Sequence, residues 1–245
     1  MDARARCLTF LTFLISCLAI CLLSASLLTH NWLVAKVRMV RDTAIESVFH
    51  DQPDGAETAD NDKFQGTVQF GLFYGKKVLN YGYGPRATGF SMKELLRADP
   101  DLVDYPLYVS TVAGIALALF FTIVASVLSV VNSVMTPVEK INGAVGLYTW
   151  NGLSALCCLA SLVGWTLQFQ WKLSHNVMSP DERRQQWNSA GLATIGWSFL
   201  LVVLGLLLNL CNIVVIVLAD KKPWLKPRTV PVHPKANQGA VIMLY

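Results

Sequence analysis

Four stretches of the chain are apolar without interruption: Cys7–Leu28, Leu107–Val131, Leu147–Phe169 and Gly191–Ala219, of 22, 25, 23 and 29 residues. None contains Asp, Glu, Lys, Arg or His. A helix rises 1.5 Å per residue, so about 20 such residues cross roughly 30 Å of hydrocarbon, whereas a helix buried in a soluble core keeps a polar stripe. The pattern therefore predicts four membrane-spanning helices. The fourth would be about 44 Å long, more than a bilayer needs, and is expected to tilt or to project and extend the extracellular part.

Between the first two spans the period changes. Ala35, Val37 and Met39 alternate with Lys36, Arg38 and Val40, which predicts a strand continuing from the first helix. A second alternation sets Val68, Phe70 and Leu72 against Thr67, Gln69 and Gly71 and runs to Phe73. Tyr74-Gly75-Lys76 is expected to turn the chain, with Gly75 supplying a positive φ, into a third strand carrying Leu79, Tyr81 and Tyr83 on one side. Ser91-Met92-Lys93-Glu94 has the form of a capping box, so a short amphipathic helix over about 91–98 should lie on the sheet or the outer leaflet. Asp104-Tyr105-Pro106 then caps the second span, with proline tolerated in its first turn. The predicted fold is an all-α four-helix transmembrane bundle with a small antiparallel β-sheet and a short helix in the first extracellular loop.

Composition sharpens this picture. The chain is 53% hydrophobic and 15% charged, with a mean hydropathy of +0.45, and all of its charge lies outside the spans. Such a chain is neither a soluble enzyme nor a nucleic-acid-binding domain, and its net charge of +4 bears on topology. Lys and Arg number two before the first span, one in 132–146 and five in 220–245, against three in 170–190. The nine in 29–106 carry little weight, because loops longer than about 60 residues translocate largely regardless of charge. The expected organisation is therefore 1–6 cytoplasmic, 7–28 spanning, 29–106 extracellular, 107–131 spanning and 132–146 cytoplasmic. After that come 147–169 spanning, 170–190 extracellular, 191–219 spanning and 220–245 cytoplasmic. Arg4 and Arg6 before an apolar run, with Ser24-Ala25-Ser26 after it, also resemble a cleavable leader. The run continues through Leu28 to His30-Asn31-Trp32, however, as a retained helix with an interfacial aromatic does.

Chemistry-bearing residues are sparse. All four histidines lie outside the spans, and all six cysteines (Cys7, Cys17, Cys21, Cys157, Cys158 and Cys211) lie within them. The large loop therefore has no disulfide of its own, and the bundle lacks the intramembrane charges of pumps and transporters and a buried pair of haem-ligating histidines. No catalytic residues, metal ligands or cofactor are expected. Cys7, at the cytoplasmic rim, is a weak palmitoylation candidate. Asp51 to Asp62 holds five acidic residues and no basic one, without EF-hand spacing, and reads as a solvated insert. The third span gathers small residues, with Cys157 and Ser161, and Ala160 and Gly164, four apart, as helix-packing faces. Asn151, Asn209 and Asn212 are the groups expected to hydrogen-bond between helices.

The tail begins Lys221-Lys222-Pro223-Trp224-Leu225-Lys226-Pro227-Arg228. Lys221, Lys222, Lys226 and Arg228 are placed to sit on anionic lipid headgroups. Four prolines then keep the tail extended as far as Ile242-Met243-Leu244-Tyr245, a hydrophobic terminus of the kind that adds as a strand to a PDZ-type scaffold.

Trp32 just after the first helix, Phe70-Gly71-Leu72-Phe73-Tyr74-Gly75-Lys76-Lys77 in the loop, Tyr148-Thr149-Trp150-Asn151 in the third span and the Leu244-Tyr245 ending resemble the clarins. These are four-span proteins of the wider claudin and peripheral-myelin-protein-like superfamily. The topology resembles theirs throughout, and the sequence likeness is confined to those patches. The resemblance marks Trp32, Gly71, Leu72, Phe73, Gly75, Trp150 and Asn151 as family-motif positions. It implies a non-catalytic plasma-membrane protein organising actin-linked or synaptic complexes in sensory cells, with roles in hearing, balance or vision. Two alternatives are an auxiliary subunit binding an ion channel and a claudin-like junction protein with an adhesion partner. Where clarins carry the paired loop cysteines, this chain has Lys76 and Tyr81, and it has no glycosylation sequon. The sheet is then expected to rest on packing around Trp32, Phe70, Leu72, Phe73, Tyr81 and Tyr83.

Overall fold

The computed structural model of the protein describes residues 3–39, 65–134 and 143–220. Along the chain it contains α1 (Ala3–Leu28), β1 (Leu33–Met39), β2 (Gln65–Phe70), β3 (Tyr74–Asn80), β4 (Pro85–Ser91), α2 (Met92–Ala98) and α3 (Tyr105–Val134). There follow α4 (Ala144–Gln168), a π-helical turn (Phe169–Leu173), α5 (Pro180–Arg184), β5 (Trp187–Asn188), β6 (Ala193–Ile195) and α6 (Trp197–Asp220). The acidic stretch from Asp51 to Asp62 and the tail from Lys221 to Tyr245 lie outside the described residues.

The four long helices have the length and apolarity to cross a membrane. They form a ring in which α1 packs on α3 and α6, and α4 packs on the same two. Helices α3 and α4 overrun the apolar runs that predicted them, because small, aromatic and uncharged polar residues at their ends continue the helix. The tight side of the ring is α3 on α4. A Cβ on Gly114 would strike the Ser161 hydroxyl and come within 3.1 Å of the Cys157 carbonyl, and one on Gly164 would meet Thr111 at 3.1 Å. Of the predicted packing face, Ser154, Ala155, Cys158, Ser161 and Gly164 are buried, but Ala160 is exposed and Gly152 has open space beside it. The paired face of Ala160 and Gly164 is thus only half used.

The fourth span does not begin where its hydrophobicity does. Gly191 turns the chain at φ +71, and Ala193–Ile195 pairs with β1, so the expected 29-residue span is a 24-residue helix preceded by a strand. The apolar residues ahead of Trp197 serve sheet pairing. Gly196 is then required by the close passage of its backbone across Asn31.

The sheet is antiparallel with the order β4-β3-β2-β1-β5, and β6 also pairs with β1. Leu33, Ala35 and Val37 of β1 and Val68 and Phe70 of β2 are buried, as the alternation predicts, while Lys36 and Arg38 stand on the other face. The predicted hairpin is displaced. The turn is Gly71-Leu72-Phe73, and Tyr74-Gly75-Lys76 already belongs to β3, paired with β4 as well as β2. Gly75 supplies no positive φ; Gly82 (+96) and Gly84 (+100) do so in the next turn. A side chain at Gly75 would instead strike the ring of Phe90, which lies across it on β4. Tyr81 and Tyr83 therefore sit in the β3–β4 turn rather than in a strand. Tyr83 is 91% exposed, and Phe73 and Tyr81 are also exposed, so only Trp32, Phe70 and Leu72 of the six expected packing residues are core.

Helix α2 forms as predicted. The Ser91 N–H reaches the Glu94 carboxylate at 3.4 Å, and Met92 and Leu95 are buried. The Asp104 carbonyl accepts the first helical bond of α3, from the Tyr108 N–H at 3.0 Å, with Pro106 in the first turn. Gln168 supports this start from α4. Its amide, assigned by its neighbours, donates to the Asp104 carbonyl (3.1 Å) and accepts from the Asp104 N–H (2.8 Å).

Candidate interaction surface

The sheet is fixed to the bundle by Trp32. Only three residues separate α1 from the strand-side backbone of Trp32, and its N–H donates to the Phe70 carbonyl at 3.2 Å. Its indole N–H donates to the Ser26 carbonyl at 2.7 Å, folding the ring back over the end of α1. That buried ring meets Trp165 of α4 edge-on at 5.1 Å and Phe199 of α6 at 6.4 Å. Its carbonyl accepts from the Gly196 N–H at 3.0 Å. One side chain therefore ties the sheet to three helices, and the aromatic contacts have the edge-to-face geometry that such pairs favour over a face-to-face sandwich.

The β2–β3 turn forms a second anchor. Gly71 passes so close to the Thr29 carbonyl that no side chain fits there. The Leu72 carbonyl, beside a buried side chain, accepts from the Tyr108 hydroxyl of α3 at 2.7 Å. Phe73, 41% exposed, offers its carbonyl to the Met92 N–H at 2.9 Å. Of the motif positions, Trp32, Gly71, Leu72, Phe73 and Gly75 thus converge where sheet meets membrane. Trp150 and Asn151 lie on α4, far down the bundle: Trp150 packs on Phe121, and buried Asn151 donates to the Leu147 carbonyl at 2.8 Å.

The second loop, for which the sequence predicted only an extracellular position, completes the sheet-side body. The Ser179 hydroxyl and N–H both bond the Glu182 carboxylate, capping α5, and the same carboxylate receives Lys77 of β3 at 2.7 Å on both oxygens. Arg183 pairs with Asp99, which follows α2. Trp187 is buried and takes the ring of Tyr81 edge-on at 5.5 Å. Burial, and then the Glu182 carboxylate, raise the Tyr81 phenol above its ordinary range. Two ion pairs and a ring contact hold the loops together where all six cysteines are free. Sequence reasoning missed these pairs because nothing local marks Lys77 and Glu182 as partners.

The outer face of the sheet is polar and basic. Lys36, Arg38 and Lys76 are exposed there, in register with Thr67, Gln65 and Gln69. Inside the ring several buried polar residues bond across helices, although the Asn212 side-chain oxygen and the Trp165 indole N–H are left without a partner among the described residues. Buried Asn212 donates to Ser16 (2.9 Å) and to Asn151 (3.1 Å), joining α1, α4 and α6. Asn209 donates to the Gly205 carbonyl at 2.9 Å, and the Thr122 and Ser154 hydroxyls lie 2.7 Å apart. Thr12 and Ser129 bond across α1 and α3. The predicted tail residues, Lys221, Lys222, Lys226, Arg228 and Ile242 to Tyr245, lie outside the described residues.

Four apolar helices in a ring, with an antiparallel sheet inserted between the first and second, define a multi-pass membrane protein of the claudin-like tetraspan class. A family model described as Clarin-2-like matches residues 5–175, and the chain belongs to the clarin family. It is 24% identical to human Clarin-3 over 229 residues, 90% of each chain. It is 33% identical to human Clarin-1 and 32% to rat Clarin-1 over 104 residues, a stretch covering 42% of this chain and 43% of those relatives.

Proposed function

We propose that this protein is a non-catalytic organiser of plasma-membrane complexes, actin-linked or synaptic, in sensory cells. In this reading the sheet faces outward, both termini are cytoplasmic, and the sheet and the tail are the two working surfaces. The observation that carries it is the fixing of the sheet to three helices through Trp32, which presents one surface in a constant pose above the bilayer. The bias of Lys and Arg toward the short segments on the opposite side supports the orientation. Lys221, Lys222, Lys226 and Arg228 would hold the tail on anionic lipid, leaving Ile242 to Tyr245 free for a PDZ-type scaffold. Affinity purification of the full chain, with and without its last four residues, tests this. Loss of a scaffold protein on truncation is expected, and an unchanged set of partners refutes the tail's role. Epitope tags inserted at residue 55 and at the C-terminus test the orientation, since only the first should be stained on intact cells.

One observation favours a second reading, an auxiliary subunit of an ion channel. Gly152 and Ala160 leave small residues on the outer side of α4, where a helix of another protein can approach closely. Currents that change on co-expression with a channel, and stop changing when Gly152 is replaced by leucine, would support it.

A further inference from the structure

Between the β2–β3 turn, α2 and the first turn of α3 lies an open groove of about 500 Å³, lined by Phe73, Tyr74, Ser91, Met92, Lys93, Leu96, Arg97, Tyr105 and Tyr108. Most of its wall is aromatic or aliphatic. Tyr105 is the first residue of a membrane-spanning helix and is 64% exposed, which places the groove at headgroup depth, where tyrosine rings gather. One turn of α3 further on, Val109 is exposed and continues the apolar wall toward the hydrocarbon.

Its only charged residues are two cations, Lys93 and Arg97, one helical turn apart and both exposed. Neither has an ion-pair partner among the described residues. Glu94, between them on α2, accepts from the Ser91 N–H, and Asp99 pairs with Arg183. Lys77, on the neighbouring strand β3, is by contrast matched by Glu182. An apolar cleft with two unmatched cations at its mouth, opening at the membrane surface, is complementary to an amphiphile bearing one anionic group.

We propose that this groove binds a glycerophospholipid of the leaflet on the sheet side. The phosphodiester lies between Lys93 and Arg97, and one acyl chain passes Leu96 and Tyr105 toward Val109. A free anion would have no use for the apolar wall, and the helix of another protein would leave both cations unmatched in a partly dry contact. The lipid satisfies both halves of the site. Bound there, it touches the β2–β3 turn, α2 and α3 together, and so holds the sheet to the bundle at that corner.

The test uses the full chain in nanodiscs containing phosphatidylcholine with a photoreactive group on one acyl chain. Labelled peptides are identified by mass spectrometry, and labelling of the exposed Leu210 and Val214 face of α6 serves as the internal standard. Label on 91–109 is expected, falling about tenfold in Lys93→Gln/Arg97→Gln, equivalent to about 1.4 kcal/mol for two charge-assisted contacts. Leu96→Trp keeps both cations but fills the groove and should lose the label as well. Undiminished label in either variant overturns the proposal, as does equal labelling by a photoreactive diacylglycerol without phosphate. A photoreactive amino acid at position 96 in cells should capture lipid; capture of a protein there overturns it too.

Discussion

Replacing Trp32 isolates the joint between sheet and bundle. In Trp32→Ala the largest fully buried side chain of that joint disappears, which costs about 3–5 kcal/mol for an aromatic residue cut to alanine in a core. The edge-on contacts with Trp165 and Phe199 contribute part of this, at about 0.5–1.5 kcal/mol each beyond burial. Trp32→Phe keeps much of the apolar volume but removes the bond to the Ser26 carbonyl. That carbonyl keeps only a long contact, at 3.3 Å, with the Thr29 hydroxyl, whose one proton has a shorter bond to the Ala25 carbonyl at 2.8 Å, so the loss should fall within about 1–3 kcal/mol. Buried Cys158 and partly buried Cys17 and Cys157 supply the assay, because their reaction with a fluorogenic maleimide reports bundle opening as the detergent-purified protein is heated. Trp32→Ala should lower the midpoint by on the order of 10 °C and Trp32→Phe by a few degrees. Limited proteolysis should cut the sheet of the alanine variant well below that midpoint. If Trp32→Ala melts within a degree of the parent, or phenylalanine is as damaging as alanine, the joint is not where the stability lies.

The Lys77 and Glu182 pair is 15% exposed at each side chain, so a double-mutant cycle with Lys77→Met and Glu182→Gln should give a coupling of about 1–2 kcal/mol, well above a surface pair; a value near zero removes it as a clasp. Asn212→Leu loses two interhelical bonds worth about 0.6 kcal/mol each on average, with no hydrophobic gain in lipid, so its effect should be well under half that of Trp32→Ala in the same melting assay. Gly114→Leu forces α3 and α4 apart against Ser161 and should cost about 1–3 kcal/mol or more, visible as loss of monodisperse protein on gel filtration. Because the folded Tyr81 phenol ionises above its unfolded value, its share of stability is fully present below that unfolded value and is lost as pH rises through the folded one. In alkaline absorbance titration, differenced against Tyr81→Phe, Glu182→Gln should move the Tyr81 transition down, while burial keeps it above the ordinary range.

Hydrophobic periodicity made the spans and the first two strands legible, because each rule there is local. An uncharged run of bilayer length has one physical reading, and strict alternation in 33–39 marks a strand with one face buried. Strand β4 carries no such mark, since nearly all of Pro85–Ser91 is exposed and an edge strand has little to bury. Gly75 misled because a glycine before two lysines resembles a turn, whereas its constraint is the Phe90 ring on the next strand, fifteen residues on. The start of α6 misled for the opposite reason: apolar residues that pair with β1 look the same in sequence as apolar residues that meet lipid. Trp32 and Gly71 stood out as motif positions, but their roles depend on partners from Phe199 to Thr29 that no window of sequence contains. The groove at Lys93 and Arg97 was hidden similarly, as two ordinary helix-surface cations until α3 and the β2–β3 turn closed around them.

The two neighbours of β1 are made at very different times. Leu33 to Arg38 pairs with β2 from the same loop, but its other edge waits for Trp187 to Ile195, which emerge after the third helix. A chain stalled before Trp187 therefore displays an open strand edge that follows closely on a membrane helix. Such an edge attracts other strands until it is covered. Sheet closure thus waits until the chain has been made past the third helix, up to the start of the fourth. Truncations that remove Trp187 to Ile195, and changes that stop this stretch from pairing with β1, should betray themselves as retention and aggregation in the compartment of synthesis.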